Sequence, residues 1–195
     1  MNPLTRSPSP PPAQAWTELL DHTRRLASLG WPVVPTTYPV GRHWYGRPDA
    51  TRLTPVQPNW HRQATTDPHL VNEIWSERPY GTAIVLGTVS IVLDVPPTIG
   101  GPLAHHLGTR GVLGPIVVIP SGGWQFHLIP GDIPSQIRAH PDIRIHDAGG
   151  WTPAPPTETV AGRRATWRHR PQGTADLTPT PTEPLVHALM SQLGL

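Results

Sequence analysis

Two short stretches of this chain hold the residue types that could bind a phosphate and a cation side by side. The first is Val89-Ser90-Ile91-Val92-Leu93-Asp94-Val95-Pro96-Pro97, an apolar strand ending on a carboxylate. The second is Gly114-Pro115-Ile116-Val117-Val118-Ile119-Pro120-Ser121-Gly122-Gly123-Trp124-Gln125-Phe126-His127, two apolar runs joined by a Ser-Gly-Gly turn. A strand-end aspartate can present oxygen to a hard cation. A glycine-rich turn lets backbone N–H groups approach a phosphate. Taken singly, each has an ordinary structural role. Asp94 could end a strand and cap a turn into two prolines, and Ser121-Gly122-Gly123 could be a plain hairpin turn. Further on, Asp142 stands two residues from Arg144, a spacing that also suits a surface ion pair.

Composition narrows the chemistry around these residues. The chain has 195 residues, enough for one substantial core, and no cysteine. Disulfides and thiolate zinc sites are thereby excluded, and a reducing compartment is acceptable. All fifteen basic residues are arginine, so no lysine nucleophile, Schiff base or P-loop lysine can operate. The isoelectric point is near 9.7, yet the net charge is only +2, a weak argument for a polyanionic partner. No signal peptide and no long apolar span is visible, and the chain reads as a cytoplasmic protein with no membrane partner.

Periodicity and turn residues place the elements that must hold these residues. Residues 1–14 include Ser7-Pro8-Ser9-Pro10-Pro11-Pro12 and read as a disordered, proline-rich tail. Apolar residues at helical spacing predict a helix over 15–29, stopped by Gly30, and then a short strand over 31–35. Residues 36–63 form a long connection rich in Pro, Arg and Trp. Asp67-Pro68 predicts the start of a second helix, with Asp67 as N-cap and Pro68 at N1. Strands are expected near 82–87 and 89–95, joined by a tight turn at Gly87-Thr88. A short helix is expected over 102–110, and strands over 115–119 and 124–129 around the Ser-Gly-Gly turn. More strands are expected near 142–146, 151–154 and 164–169, then a Thr/Pro linker over 171–182 and a closing helix over 183–195. Helices mixed with hairpins argue for an α+β fold whose mixed, mostly antiparallel sheet is flanked by helices, with the main domain over 15–170.

Other signals have open readings. Gly162-Arg163-Arg164-Ala165-Thr166-Trp167-Arg168-His169-Arg170 interleaves arginines with an aromatic. Arg163, Arg164, Arg168 and Arg170 suit phosphate contacts on a nucleic acid, and equally suit a charged, solvated edge strand. His105, His106, His127, His140 and His146 lack the tight spacing of a zinc site. Trp31, Trp60, Trp75 and Trp124 read as core residues, whereas Trp44 and Tyr45 are better placed for exposure.

The order of these pieces resembles the N-terminal domain of bifunctional DNA primase/polymerases, the Prim-Pol branch of the archaeo-eukaryotic primases. The residues that carry the resemblance begin with Leu29-Gly30-Trp31-Pro32-Val33-Val34-Pro35 and Ala64-Thr65-Thr66-Asp67-Pro68. Ala83-Ile84-Val85-Leu86-Gly87, Ile91-Val92-Leu93-Asp94-Val95 and Pro120-Ser121-Gly122-Gly123 follow. Asp142-Ile143-Arg144, Gly149-Gly150-Trp151 and Ala154-Pro155-Pro156-Thr157 complete the pattern, which covers about residues 15–170. The resemblance implies a primase-polymerase-like fold and metal-dependent nucleotidyl transfer onto DNA.

In that family a strand carries Asp-x-Asp or Asp-x-Glu, and a later Asp completes a carboxylate cluster for two divalent ions. Here Asp94 matches the first position and Asp142 the third, while Pro96 stands at the second and offers no oxygen. The family's Ser-Gly-Gly-x-His turn sets a histidine beside the phosphates, and here Gln125 takes its place. The resemblance thus assigns Asp94, Asp142 and Gln125 to the catalytic positions. Ser121, Gly122, Gly123, His127 and Arg144 fall to nucleotide binding. Asp94 and Asp142 become the metal ligands, for Mg²⁺ or Mn²⁺ held weakly. Asp147 and His127 are the nearby groups that could stand in for what is lost. Nucleotide and DNA are the partners implied, with a helicase or other replication protein acting in trans. The expected outcome is an impaired relative that binds nucleotide or nucleic acid. An active stand-alone polymerase and a non-enzymatic partner-binding protein are the alternatives.

Overall fold

The computed structural model describes residues 13–160, 162–169 and 178–195. The proline-rich tail over 1–12, Arg170 and most of the expected linker, 171–177, lie outside the described residues. The first helix, α1 (Ala13–Ser28), ends where the sequence places its stop. Gly30 adopts φ +83°, and its N–H donates to Ala27 while the Trp31 N–H donates to Leu26. This pair of bonds is a Schellman closure, and it turns Trp31 back onto Leu26 in the core. In α2 (Pro68–Glu77) the Asp67 carboxylate accepts from the His69 N–H at 2.8 Å, with Pro68 in the first turn.

The strands form two main antiparallel sheets. One contains β1 (Val33–Thr36), β4 (Gly81–Val85) and β9 (Trp151–Pro153), in the order β1-β4-β9. The other contains β5 (Ile91–Val95), β6 (Ile116–Val118), β7 (Trp124–Leu128), β8 (Arg144–His146) and β12 (Thr166–His169). Its order is β12-β6-β7-β5-β8, and every pairing is antiparallel. Two small hairpins complete the set, β2 (Tyr38–Val40) with β3 (His43–Tyr45) and β10 (Glu158–Val160) with β11 (Arg163–Arg164). With α3 (Pro97–Thr109), α4 (Ser135–Arg138) and α5 (Thr182–Leu193), the fold is α+β.

Several boundaries differ from the expectation for identifiable reasons. Gly87-Thr88 does not close a hairpin, because β4 already has β1 and β9 on its two edges. The chain therefore leaves that sheet, and β5 enters the other between β7 and β8. Gly87 makes the crossing at φ +114°, where a Cβ would strike Ala148. Helix α3 starts five residues earlier than expected, with Pro97 rather than Pro102 in its first turn. The 36–63 connection contains hairpin β2–β3, and the arginine-rich run is divided between β11 and β12.

One face of the five-stranded sheet packs Leu93, Phe126 and Leu128 against Leu103, Leu107, Leu185 and Leu189 of α3 and α5. Its other face shares a second core with the three-stranded sheet and the first two helices, through Val92, Ile84, Leu26, Trp31 and Trp75. Among the described residues no helix is long and apolar enough to cross a membrane.

Candidate functional site

Antiparallel register sets the site. Asp94 on β5 faces Gln125 on β7 and Arg144 on β8, so three polar side chains stand in a row across neighbouring strands. Strand alternation sends Leu93 and Val95 to the opposite face, into the core under α3 and α5. The Ser121-Gly122-Gly123 turn joins β6 to β7 and closes over this row. Gly122 adopts φ +97°, with its N–H donating to the Ile119 carbonyl at 2.8 Å and open space where a Cβ would stand. Gly123 has a different reason to be glycine: a Cβ there would collide with Oδ1 of Asp94. The turn can lie this close to the carboxylate only because it lacks a side chain.

Asp142, just before β8, reaches the same place. Asp94, Ser121, Gly122, Gly123, Asp142 and Arg144 all line one open cleft of about 530 Å³, with Pro96 on its wall. The Asp94 carboxylate is only 15% exposed, and its Oδ2 lies 3.7 Å from Nε2 of His146. That separation is too long for a hydrogen bond, and it becomes an ion pair when His146 is protonated. Gln125 does not line the cleft. It is 4% exposed, donates from Nε2 to Asp94 Oδ2 at 3.2 Å, and accepts at Oε1 from the Thr152 hydroxyl on β9. One amide thus ties the two sheets together and holds the carboxylate from below.

A family model for the bifunctional DNA primase/polymerase N-terminal domain matches residues 23–183. The chain belongs to that family. Its membership carries a primase/polymerase-like function acting on nucleotides and DNA. No curated protein matches the chain.

Set beside the family's pattern, this Prim-Pol domain assembles part of the expected set and disperses the rest. His127 stands apart from the cleft. It is fully buried, its Nδ1 shares a hydrogen bond with the Ser90 hydroxyl at 3.1 Å, and the Trp31 ring meets it edge-on at 5.0 Å. Burial lowers its pKa to about 3, and its Nε2 has no hydrogen-bond partner. A side chain so enclosed cannot touch a nucleotide in the cleft. Asp147 also lies elsewhere, in a half-exposed pair with Arg138 at 2.6 Å. Neither group stands in for the missing carboxylate.

The arginines fall in three places. Arg163 and Arg164 are exposed on hairpin β10–β11, where Arg164 lies 3.9 Å from Glu18. Arg168, on edge strand β12, places its guanidinium 5.2 Å from the Trp124 ring centre. Arg170 lies outside the described residues. Trp31 and Trp75 are core residues, whereas Trp44 and Tyr45 are half-buried.

A resident pair of divalent ions does not fit this donor set. Pro96, on the cleft wall two residues after Asp94, offers no side-chain oxygen, and among the described residues no three His, Asp or Glu side chains converge. Two contributors, His146 and Thr152, were not assigned to the site from the sequence. His146 could have been found by strand alternation from Arg144, since both side chains belong to the face that carries Asp94. Thr152 had no local signal, because its link to Gln125 spans two sheets.

Proposed function

We propose that this Prim-Pol domain binds nucleotide in the cleft beside Asp94 and binds nucleic acid at its arginine-bearing surface, with impaired polymerisation, in a replication-related role. One observation carries the reading: the Ser-Gly-Gly turn, Arg144, Asp94 and Asp142 share one cleft, and Pro96, at the position where the family pattern has its second carboxylate, lines its wall. Arg144 supplies a guanidinium suited to phosphate oxygens, and the Ser-Gly-Gly turn supplies an unobstructed backbone. Asp94 and Asp142 remain as the protein's ligands for Mg²⁺ or Mn²⁺, held weakly. Two such ions bring four positive charges, which two carboxylates balance poorly. Losing metal stabilisation of the transition state costs on the order of a thousandfold in rate or more.

Primer extension with Mn²⁺, run beside an Asp94→Asn control, tests the catalytic half. Wild type is expected to stay near the control, and extension far above it would overturn the impairment. Calorimetric titration with a deoxynucleoside triphosphate tests the binding half. Arg144→Ala should weaken binding about tenfold, the loss of one charge-assisted contact. No heat of binding with wild type would remove the nucleotide reading.

A further inference from the structure

Positive charge in this chain is concentrated in two segments far apart in sequence. Residues 38–62 carry four arginines against the single acid Asp49, and residues 162–169 carry three against none, although the whole chain amounts to +2. The fold brings these segments together, with β2 lying against β10. Tyr38 and Pro39 of one hairpin and Glu158 and Arg164 of the other line a common groove. Glu158, the acid that lines it, accepts from the Gly162 N–H, and Arg164 lies 3.9 Å from Glu18 in a half-exposed ion pair.

Aromatic rings gather at the same place. The chain has three tyrosines, and all three meet here. Tyr38 and Tyr45 are register partners across hairpin β2–β3, stacked at 6.0 Å. Tyr80 meets Tyr38 edge-on at 6.1 Å, over Gly46, where a Cβ would press on the Tyr80 ring. All three tyrosines are half-buried residues. Arg78 is exposed, and its positive charge lies near the Tyr38 hydroxyl. Arg42 is exposed at the hairpin tip. A two-stranded hairpin has little stability of its own, so the tyrosines also hold it to the body. Anchoring does not call for the surrounding arginines, which make the surface complementary to a polyanion with exposed bases.

We infer that hairpin β2–β3, with Tyr38, Tyr45 and Arg78, forms together with hairpin β10–β11 one binding surface for single-stranded nucleic acid. The arginines take the phosphates and the tyrosines take the bases. The inference rests on the nucleic-acid half of the proposed function and adds a stacking platform remote in sequence from the arginine run.

Fluorescence anisotropy of labelled oligothymidylate with the full chain, over a salt series, tests it. Arg42→Ala/Arg78→Ala should weaken binding about tenfold and lower the slope of log K against log salt by about 1.4, the share of two single-strand phosphates. Tyr45→Ala should weaken binding about tenfold with the slope unchanged, since stacking releases no counterions. Tyr45→Phe, which keeps the ring and the packing, should bind as wild type. If the Arg42/Arg78 and Tyr45 variants all bind as wild type while Arg163→Ala/Arg164→Ala binds poorly, the platform is refuted and the proposed function stands. If wild type itself fails to bind, the platform and the nucleic-acid half of the proposed function are both lost.

Discussion

Strands β5 and β7 carry two polar places on one face, two residues apart, and the two have opposite surroundings. At the outer place Gln125 lies beside Asp94, and both of its amide atoms are used. At the inner place His127 lies opposite Val92, under Trp31, with one ring nitrogen unpartnered. Residue type does not explain the contrast, since Gln and His are comparable in polarity and size. Cover does. Trp31, turned inward by the Schellman closure at Gly30, seals the inner place, whereas the outer one borders the cleft. A dry site leaves the imidazole neutral. Function can be built only at the outer place, and the amide of Gln125 forms the floor between the two.

The contrast breaks most severely when that floor is removed. Gln125→Leu keeps much of the volume but leaves the Thr152 hydroxyl and Asp94 Oδ2 without their partner. Each orphaned group costs about 1–3 kcal/mol, so urea unfolding should show a loss of about 2–6 kcal/mol. A loss below about 1 kcal/mol would mean that the two sheets do not depend on this link.

The inner place should reveal itself through pH. Folded His127 resists protonation down to about pH 3, while the unfolded chain takes up that proton near 6.5. Between those values the unfolded state binds more protons, so acid favours unfolding. This residue's part of the stability is complete above pH 6.5 and is lost as pH falls towards 3. The folded-to-unfolded ratio should fall about tenfold for each pH unit in that window. His127→Leu should remove about one proton from the slope, measured from denaturant midpoints at pH 7, 6 and 5. Equal slopes in the two proteins would contradict the burial of this ring.

What could be read from the sequence follows the range of the interactions involved. The end of α1 at Gly30 and the start of α2 at Asp67-Pro68 rest on hydrogen bonds to residues at most five apart, and both were legible. So was the hairpin around Ser121-Gly122-Gly123, where the turn itself sets the pairing. The expected hairpin at Gly87-Thr88 had the same local look. It was lost because β1 and β9, remote in sequence, already occupy the edges of β4. Hairpin β2–β3 was hidden by Pro39 and Gly41, which signal a loop when read locally. The order of motifs brought Asp94, Asp142, Arg144 and the turn under one heading. Which neighbour faced water was settled by Trp31 and Thr152, far from either motif.

The smallest effect sharpens the contrast at the mouth of the cleft, where Pro96 is both wall and helix cap. It holds φ −67° and ψ 159° at the N-cap of α3 and makes no side-chain cap bond. Asp is among the best N-cap residues, and its carboxylate can accept from the N–H groups of the first turn. Pro96→Asp also gives up the rigidity of proline in the unfolded chain, which offsets part of the gain. The balance should be a stabilisation of about 0.5–1 kcal/mol, or about 1–4 °C in Tm for a chain of this size. Primer extension should stay at the level of the Asp94→Asn control. The new carboxylate is engaged as a cap, and Gln125 still holds Asp94 Oδ2. A fall in Tm would show that the backbone there needs the proline ring. Strong extension would show that one missing carboxylate alone silences the cleft, and that the buried amide is no obstacle to catalysis.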